Sequence, residues 1–180
     1  MTELVILGRD GVINQDSDKF IKNPTEWTPI PGSLEAIARL NHAGYKIAVA
    51  TNQPGVALDL FDINTLNAIH GKFQHLLARV GGHIDGIFYC PHSVEKNCNC
   101  HKPKPGLYQT ISNRFSVPLK GIPIIDGSLK DLDAAIAVDA SPILVKTGNS
   151  QSTLINRDDL RDIPSFNDLA HAVDALLEAP

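Results

Sequence analysis

The 180-residue chain has three cysteines, no basic surplus and no long apolar run. Sixteen Lys and Arg against twenty Asp and Glu leave a net charge of -4, too little positive charge to neutralise the phosphates of a nucleic acid. Small anionic ligands stay open, since their sites need only a few local cations. No apolar stretch approaches the roughly 18 residues of a membrane span, and Gly8, Arg9 and Asp10 interrupt the N-terminal one before it reads as a signal peptide. A cytoplasmic protein is expected, with no membrane or nucleic-acid partner. The scarce cysteines, Cys90, Cys98 and Cys100, fall in one short window. An odd, clustered count disfavours a disulfide framework and points to metal.

What is present is an alternation of short β-rich runs and longer amphipathic ones. "ELVIL", "KIAVAT", "GIFYC", "IPIID" and "PILVK" read as strands. The stretches beginning at Ser33, Asp62, Pro105 and Ser128, and the closing "SFNDLAHAVDALLEA", read as helices, with Ser33 and Asp62 as caps and Gly44 and Gly81-Gly82 as stops. Such alternation implies right-handed βαβ units and an α/β fold: a doubly wound, mostly parallel, three-layer Rossmann-like sheet. With 43% hydrophobic residues and no linker or repeat, residues 1–180 are expected to form a single domain.

Two constellations carry chemistry. In "CPHSVEKNCNC", Cys90, His92, Cys98 and Cys100 offer three thiolates and an imidazole, the closed donor set of structural zinc. His101 is a rival ligand, but His92 is preferred because adjacent side chains point differently. The second constellation lies where the strands run out: Arg9, Asp10 and Gly11 after the first, Thr51 and Asn52 after the second, Lys102 after the third. In doubly wound folds ligands bind at those carboxyl ends, and a hydroxyl, an ammonium and loop N–H groups suit a phosphate. Each residue alone also reads as a turn former or a solvated side chain; their combination in one crevice makes the case.

"RDGVIN", "ATNQPGVA", "YCPH…CNCHKPKPG" and "DGSLKDLDAA" together resemble the haloacid dehalogenase superfamily, and within it the D,D-heptose 1,7-bisphosphate and histidinol-phosphate phosphatases. The resemblance implies a sugar-phosphate monoester hydrolase with no large cap domain, structural zinc, and catalytic magnesium. It implies an aspartyl nucleophile at position 8 and an acid/base at Asp10. Arg9, Thr51, Asn52, Gln53, His101 and Lys102 would contact substrate phosphate, with Lys102 also stabilising developing charge. Positions 8, 10 and 127 would hold magnesium, and Asp131 matches a later acidic position.

The sequence departs from that pattern where the chemistry is done. Position 8 is glycine, and "IDGSLKDL" carries Asp126-Gly127 where the family usually has Gly-Asp. On an extended backbone neighbouring side chains alternate, so Asp126 is expected to point away from the metal. Asp131 also reads as part of a helix-capping arrangement with Ser128. Pro54, Leu58-Asp59 and His101 replace a serine, an Arg-Gly pair and an arginine of the family. Losing a covalent nucleophile costs on the order of a million-fold in a serine protease, so impaired turnover and a degraded magnesium site (Gly8, Asp10, Gly127) are expected. The alternatives are a pseudophosphatase that binds a phosphosugar or a protein, and a substituted form of an active phosphatase. A monomer is expected; no protein partner is legible.

Overall fold

A computed structural model describes residues 3–148 and 157–179. Six strands form one parallel sheet: β1 (Leu4–Leu7), β2 (Lys46–Asn52), β3 (Gly86–Cys90), β4 (Pro123–Asp126), β5 (Ser141–Val145) and β6 (Ser165–Phe166), in spatial order β3-β2-β1-β4-β5-β6. The chain reverses its direction of travel across the sheet between β1 and β4, which opens a crevice at their carboxyl ends.

The helices are α1 (Ser33–His42), α2 (Ile63–Arg79), α3 (Gly106–Phe115), α4 (Leu129–Ile136) and α5 (Leu169–Glu178). Strand alternation divides the core. Val5, Leu7, Ile47, Val49 and Ile125 face α1, α2 and α5, while Leu4, Ile6, Ala48, Ala50 and Ile124 face α3 and α4. Both faces of the sheet are therefore covered, and the strands read as nearly continuous apolar runs. No helix is long and apolar enough to cross a membrane, and no cap domain interrupts the described residues.

Local details differ from the sequence reading in three places. Ser33 lies inside α1 with Gly32 at the cap position, because its hydroxyl is spent on Ile13 O at 2.7 Å. Pro105, expected near the first turn of a helix that begins with it, is the cap residue and α3 itself begins at Gly106. "SFNDLAHAVDALLEA" divides: Ser165–Phe166 pairs with β5 as an edge strand, and Asp168 caps α5 by accepting from His171 N. Asp62 caps α2 as expected, accepting from Thr65 N at 2.7 Å.

One polar pair is sunk in this apolar frame. Arg9, 1% exposed, reaches Nε2 of His70 on α2 through Nη1 at 3.1 Å. Burial, reinforced by that guanidinium, pushes the His70 imidazole down to about 4. The unfolded chain takes up the proton near pH 6.5, the folded one only near 4. Stability is thus intact above pH 6.5 and lost as pH falls from 6.5 toward 4, by about 3 kcal/mol in all. Urea unfolding across that range is expected to show the slope in the parent chain and a flatter one in His70→Gln.

Candidate active site

The crevice floor is set by strand register. Ile6 pairs with Ile124 and Leu7 with Ile125, and the Gly8 N–H continues the ladder to Ile125 O at 2.9 Å. Gly8 and Asp126 are therefore neighbours at the strand ends. After β1 the chain turns sharply: Arg9 O accepts from the N–H groups of Val12, Ile13 and Asn14, and Gly11 takes φ +75°. A Cβ on Gly11 would lie 2.8 Å from Gly148 Cα, so position 11 needs glycine for both reasons.

This turn puts the Asp10 carboxylate on the crevice wall, 24% exposed. Arg9 donates to it from Nε and Nη2 at 3.0 and 2.8 Å, Asn14 Nδ2 at 2.9 Å and Gln53 Nε2 at 2.8 Å. Gln53 also donates to Thr51 Oγ1 at 2.9 Å, and the Thr51 hydroxyl is left with only a 3.5 Å contact to Asn52 O for its own hydrogen. That hydrogen is available to a ligand.

Lys102 is buried beneath the crevice. Its ammonium donates to Ala50 O at 3.0 Å and Asp126 Oδ2 at 3.2 Å, and pairs with Asp131. Burial alone would strip its proton, but the two carboxyls hold its pKa well above the usual lysine value. Burial and the Asp131 charge push Asp126 well above the carboxylate range despite Lys102. Burial opposes ionisation of Asp131 too, but Lys102 and neighbouring hydrogen bonds hold its pKa below the usual value. Of the two carboxyls, Asp126 is the one whose ionisation the site opposes. Asp10, Asp16, Asp126 and Asp131 face Arg9, Lys102 and Lys130 around a cavity of about 220 Å³.

The second constellation also forms. Cys90 ends β3, and its Sγ lies 3.6 Å from that of Cys98 and 3.1 Å from that of Cys100, with 3.4 Å between the latter two. His92 Nδ1 is 3.7 Å from Cys90 Sγ and 3.4 Å from Cys100 Sγ. A tetrahedral ion with bonds of about 2.3 Å to sulfur requires edges of about 3.8 Å, so this set fits zinc after small outward shifts. Burial opposes ionisation of Cys98, yet hydrogen bonds from its neighbours bring the thiol down to about 6, favouring the ligating thiolate. Among the described residues this is the one cluster of three or more His, Cys, Asp or Glu able to hold an ion. The strand-end carboxylates are committed to internal donors, and positions 8 and 127 have none, so the residues present do not fit the magnesium set implied by the resemblance.

Four expected assignments change. Asp126 turns into the crevice rather than away, because the register puts it on the same sheet face as Ile124, toward Lys102. Arg9, expected to contact phosphate, spends its Nε, its Nη2 and one Nη1 contact on Asp10 and His70. The Asn52 amide, expected at a phosphate, brackets Lys102, donating one Nδ2 hydrogen to its O and accepting from its N, both at 3.1 Å. His101 is 9% exposed and points its Nδ1 at His92 O (3.1 Å) and Cys90 Sγ (3.8 Å), toward the thiolates. Ser128 and Lys130 line the crevice unforeseen; "SLKD" at the start of α4 held the clue, since a helix N-terminus at a strand end offers donors to an anion.

Residues 10–124 match the family described as polynucleotide kinase 3 phosphatase, and residues 99–174 a HAD-hydrolase-like family. The D-glycero-beta-D-manno-heptose-1,7-bisphosphate 7-phosphatases of Bordetella bronchiseptica and Pseudomonas aeruginosa are each 48% identical, over 98% and 97% of this chain and 98% of either relative. The crystal structure of the D,D-heptose 1,7-bisphosphate phosphatase from B. bronchiseptica, complexed with magnesium and phosphate, superposes with a TM-score of 0.95, covering 98% of this chain and 99% of that one. The enzyme from Burkholderia thailandensis, 38% identical, gives 0.77 over 99% and 100%. With a strand-end crevice around Lys102, a Cys/His cluster beside it and this likeness over nearly its full length, the chain belongs to the D,D-heptose 1,7-bisphosphate phosphatase family of HAD-like phosphatases.

Proposed function

We propose that the protein is a cytoplasmic sugar-phosphate phosphatase that binds a heptose 1,7-bisphosphate or a close analogue and turns it over slowly. The observation that carries this reading is the convergence of Lys102, the weakly held hydroxyl of Thr51 and the clamped Asp10 carboxylate on one crevice at the β1–β4 switch point. The phosphoryl group would sit over Lys102, accept from Thr51 and draw on Lys130 at the rim. Asp10, oriented by Arg9, Asn14 and Gln53, is the group placed to exchange a proton with a departing sugar oxygen. Slow turnover follows from glycine at position 8 and from the poor fit to magnesium, which in phosphatases neutralises phosphate charge.

Cys90, His92, Cys98 and Cys100 are proposed to hold zinc. A closed four-ligand zinc contributes folding free energy rather than a reactive water. Its place in the mechanism is positional: Cys100 lies two residues before Lys102, so fixing the loop fixes the ammonium.

One observation favours a binding-only protein: the ammonium of Lys102 already has three internal acceptors. Calorimetry and phosphate release with heptose 1,7-bisphosphate separate the two readings, binding with slow release supporting the phosphatase and binding alone the module. Thr51→Val is expected to weaken binding about tenfold, the worth of one hydrogen bond to a charged group. The purified protein should carry one equivalent of zinc. Chelation, or Cys100→Ser, is expected to lower the thermal midpoint by on the order of 10 °C, with zinc add-back restoring only the unaltered chain.

A further inference from the structure

A Cβ built on Gly8 would lie 2.3 Å from Asp126 Oδ1 and 2.4 Å from both Cγ and Oδ2. The Asp126 carboxyl therefore occupies the volume that a side chain at position 8 would fill. It arrives there from the adjacent strand, in register and on the same face of the sheet. Oδ1 accepts from Gly127 N at 2.7 Å and Oδ2 from Lys102 at 3.2 Å. The group is buried, yet it lines the crevice shared with Asp10 and Thr51. Anchoring Lys102 does not require it, since Ala50 O and Asp131 also hold the ammonium.

We propose that Asp126 supplies the phosphoryl-accepting carboxylate that position 8 lacks, so that the nucleophile has been transposed from β1 to β4. The proposal rests on the crevice being a phosphosugar site. A carboxylate oxygen of Asp126 forms a bond to phosphorus as the bond from phosphorus to the sugar oxygen breaks. A proton on Asp126 moves to the Asp10 carboxylate, which lines the same crevice, as the attack begins. The departing oxygen takes a proton from Asp10. Water then attacks phosphorus, returns a proton to Asp10 and releases inorganic phosphate, and Asp126 recovers its original state. Lys102 stays beside the reacting oxygen throughout and offsets its change in charge.

The test uses the full chain with heptose 1,7-bisphosphate and p-nitrophenyl phosphate, following phosphate release, ligand binding by calorimetry, and the acid-quenched acyl-phosphate by peptide mass spectrometry. The expected result is a phosphoryl increment on Asp126. Asp126→Asn, which keeps the shape, should lose roughly a hundredfold or more of release while still binding ligand. Gly8→Asp alone should lower the thermal midpoint by crowding Asp126, whereas Gly8→Asp with Asp126→Gly should fold normally and carry its adduct at position 8. Release that persists in Asp126→Asn, or an adduct elsewhere, overturns the proposal and leaves the phosphatase reading standing. Binding without release by the unaltered chain also overturns it and leaves a binding module. Neither binding nor release removes the phosphosugar reading itself.

Discussion

The site depends on keeping one ammonium charged inside the protein. Taken out of water alone, Lys102 would give up its proton, and every neighbour that touches it works against that. Ala50 presents a strand-end carbonyl, Asp126 and Asp131 present carboxyls, and the Asn52 amide grips the lysine backbone from both sides. The Cys/His loop then returns the chain to this point from β3. Strand ends, helix start and cysteine cluster are thus three supports of one charge.

That arrangement sets what the crevice can accept. Two carboxyls share Lys102, so an anion entering the crevice meets an ammonium already paired rather than one of strong positive potential. The structure of the B. bronchiseptica relative is complexed with magnesium and phosphate. In this chain the corresponding strand ends carry Gly8 and Gly127. A Cβ on Gly127 would lie 3.1 Å from Gly148 Cα and 3.2 Å from Gly11 O. The backbone has drawn close around that position.

Much of this was legible in the sequence because it is written in local signals. The apolar runs gave the strands, the Asp62 cap placed a helix start, and four soft donors within eleven residues announced the Cys/His cluster. What stayed hidden was pairwise. Strand alternation says that residues 126 and 127 face opposite ways but not which of them faces Lys102; only the pairing of Ile6 with Ile124 decides that. Arg9 and Asn52 look like ligands in a motif, yet Arg9 also holds Asp10 beside it and His70, 61 residues away, and Asn52 brackets Lys102, 50 residues away. His101 could not be separated from the phosphate until the fold turned its ring toward Cys90. The edge strand Ser165–Phe166 is two residues long, too short for any periodicity to mark.

The single volume shared by positions 8 and 126 also constrains descent. A lineage with its carboxylate on β1 and one with it on β4 are separated by two substitutions, and their order matters. Acquiring the second carboxylate first passes through an overfilled protein with two acids pressed together, costing about 1–3 kcal/mol in packing before any charge repulsion. Losing the first one first passes through a protein with glycine at both positions, which folds comfortably but has no acid in that place at all. Selection on folding favours the second path and selection on turnover the first. A chain that has crossed by either route carries its history as a reciprocal dependence, in which neither residue can revert alone.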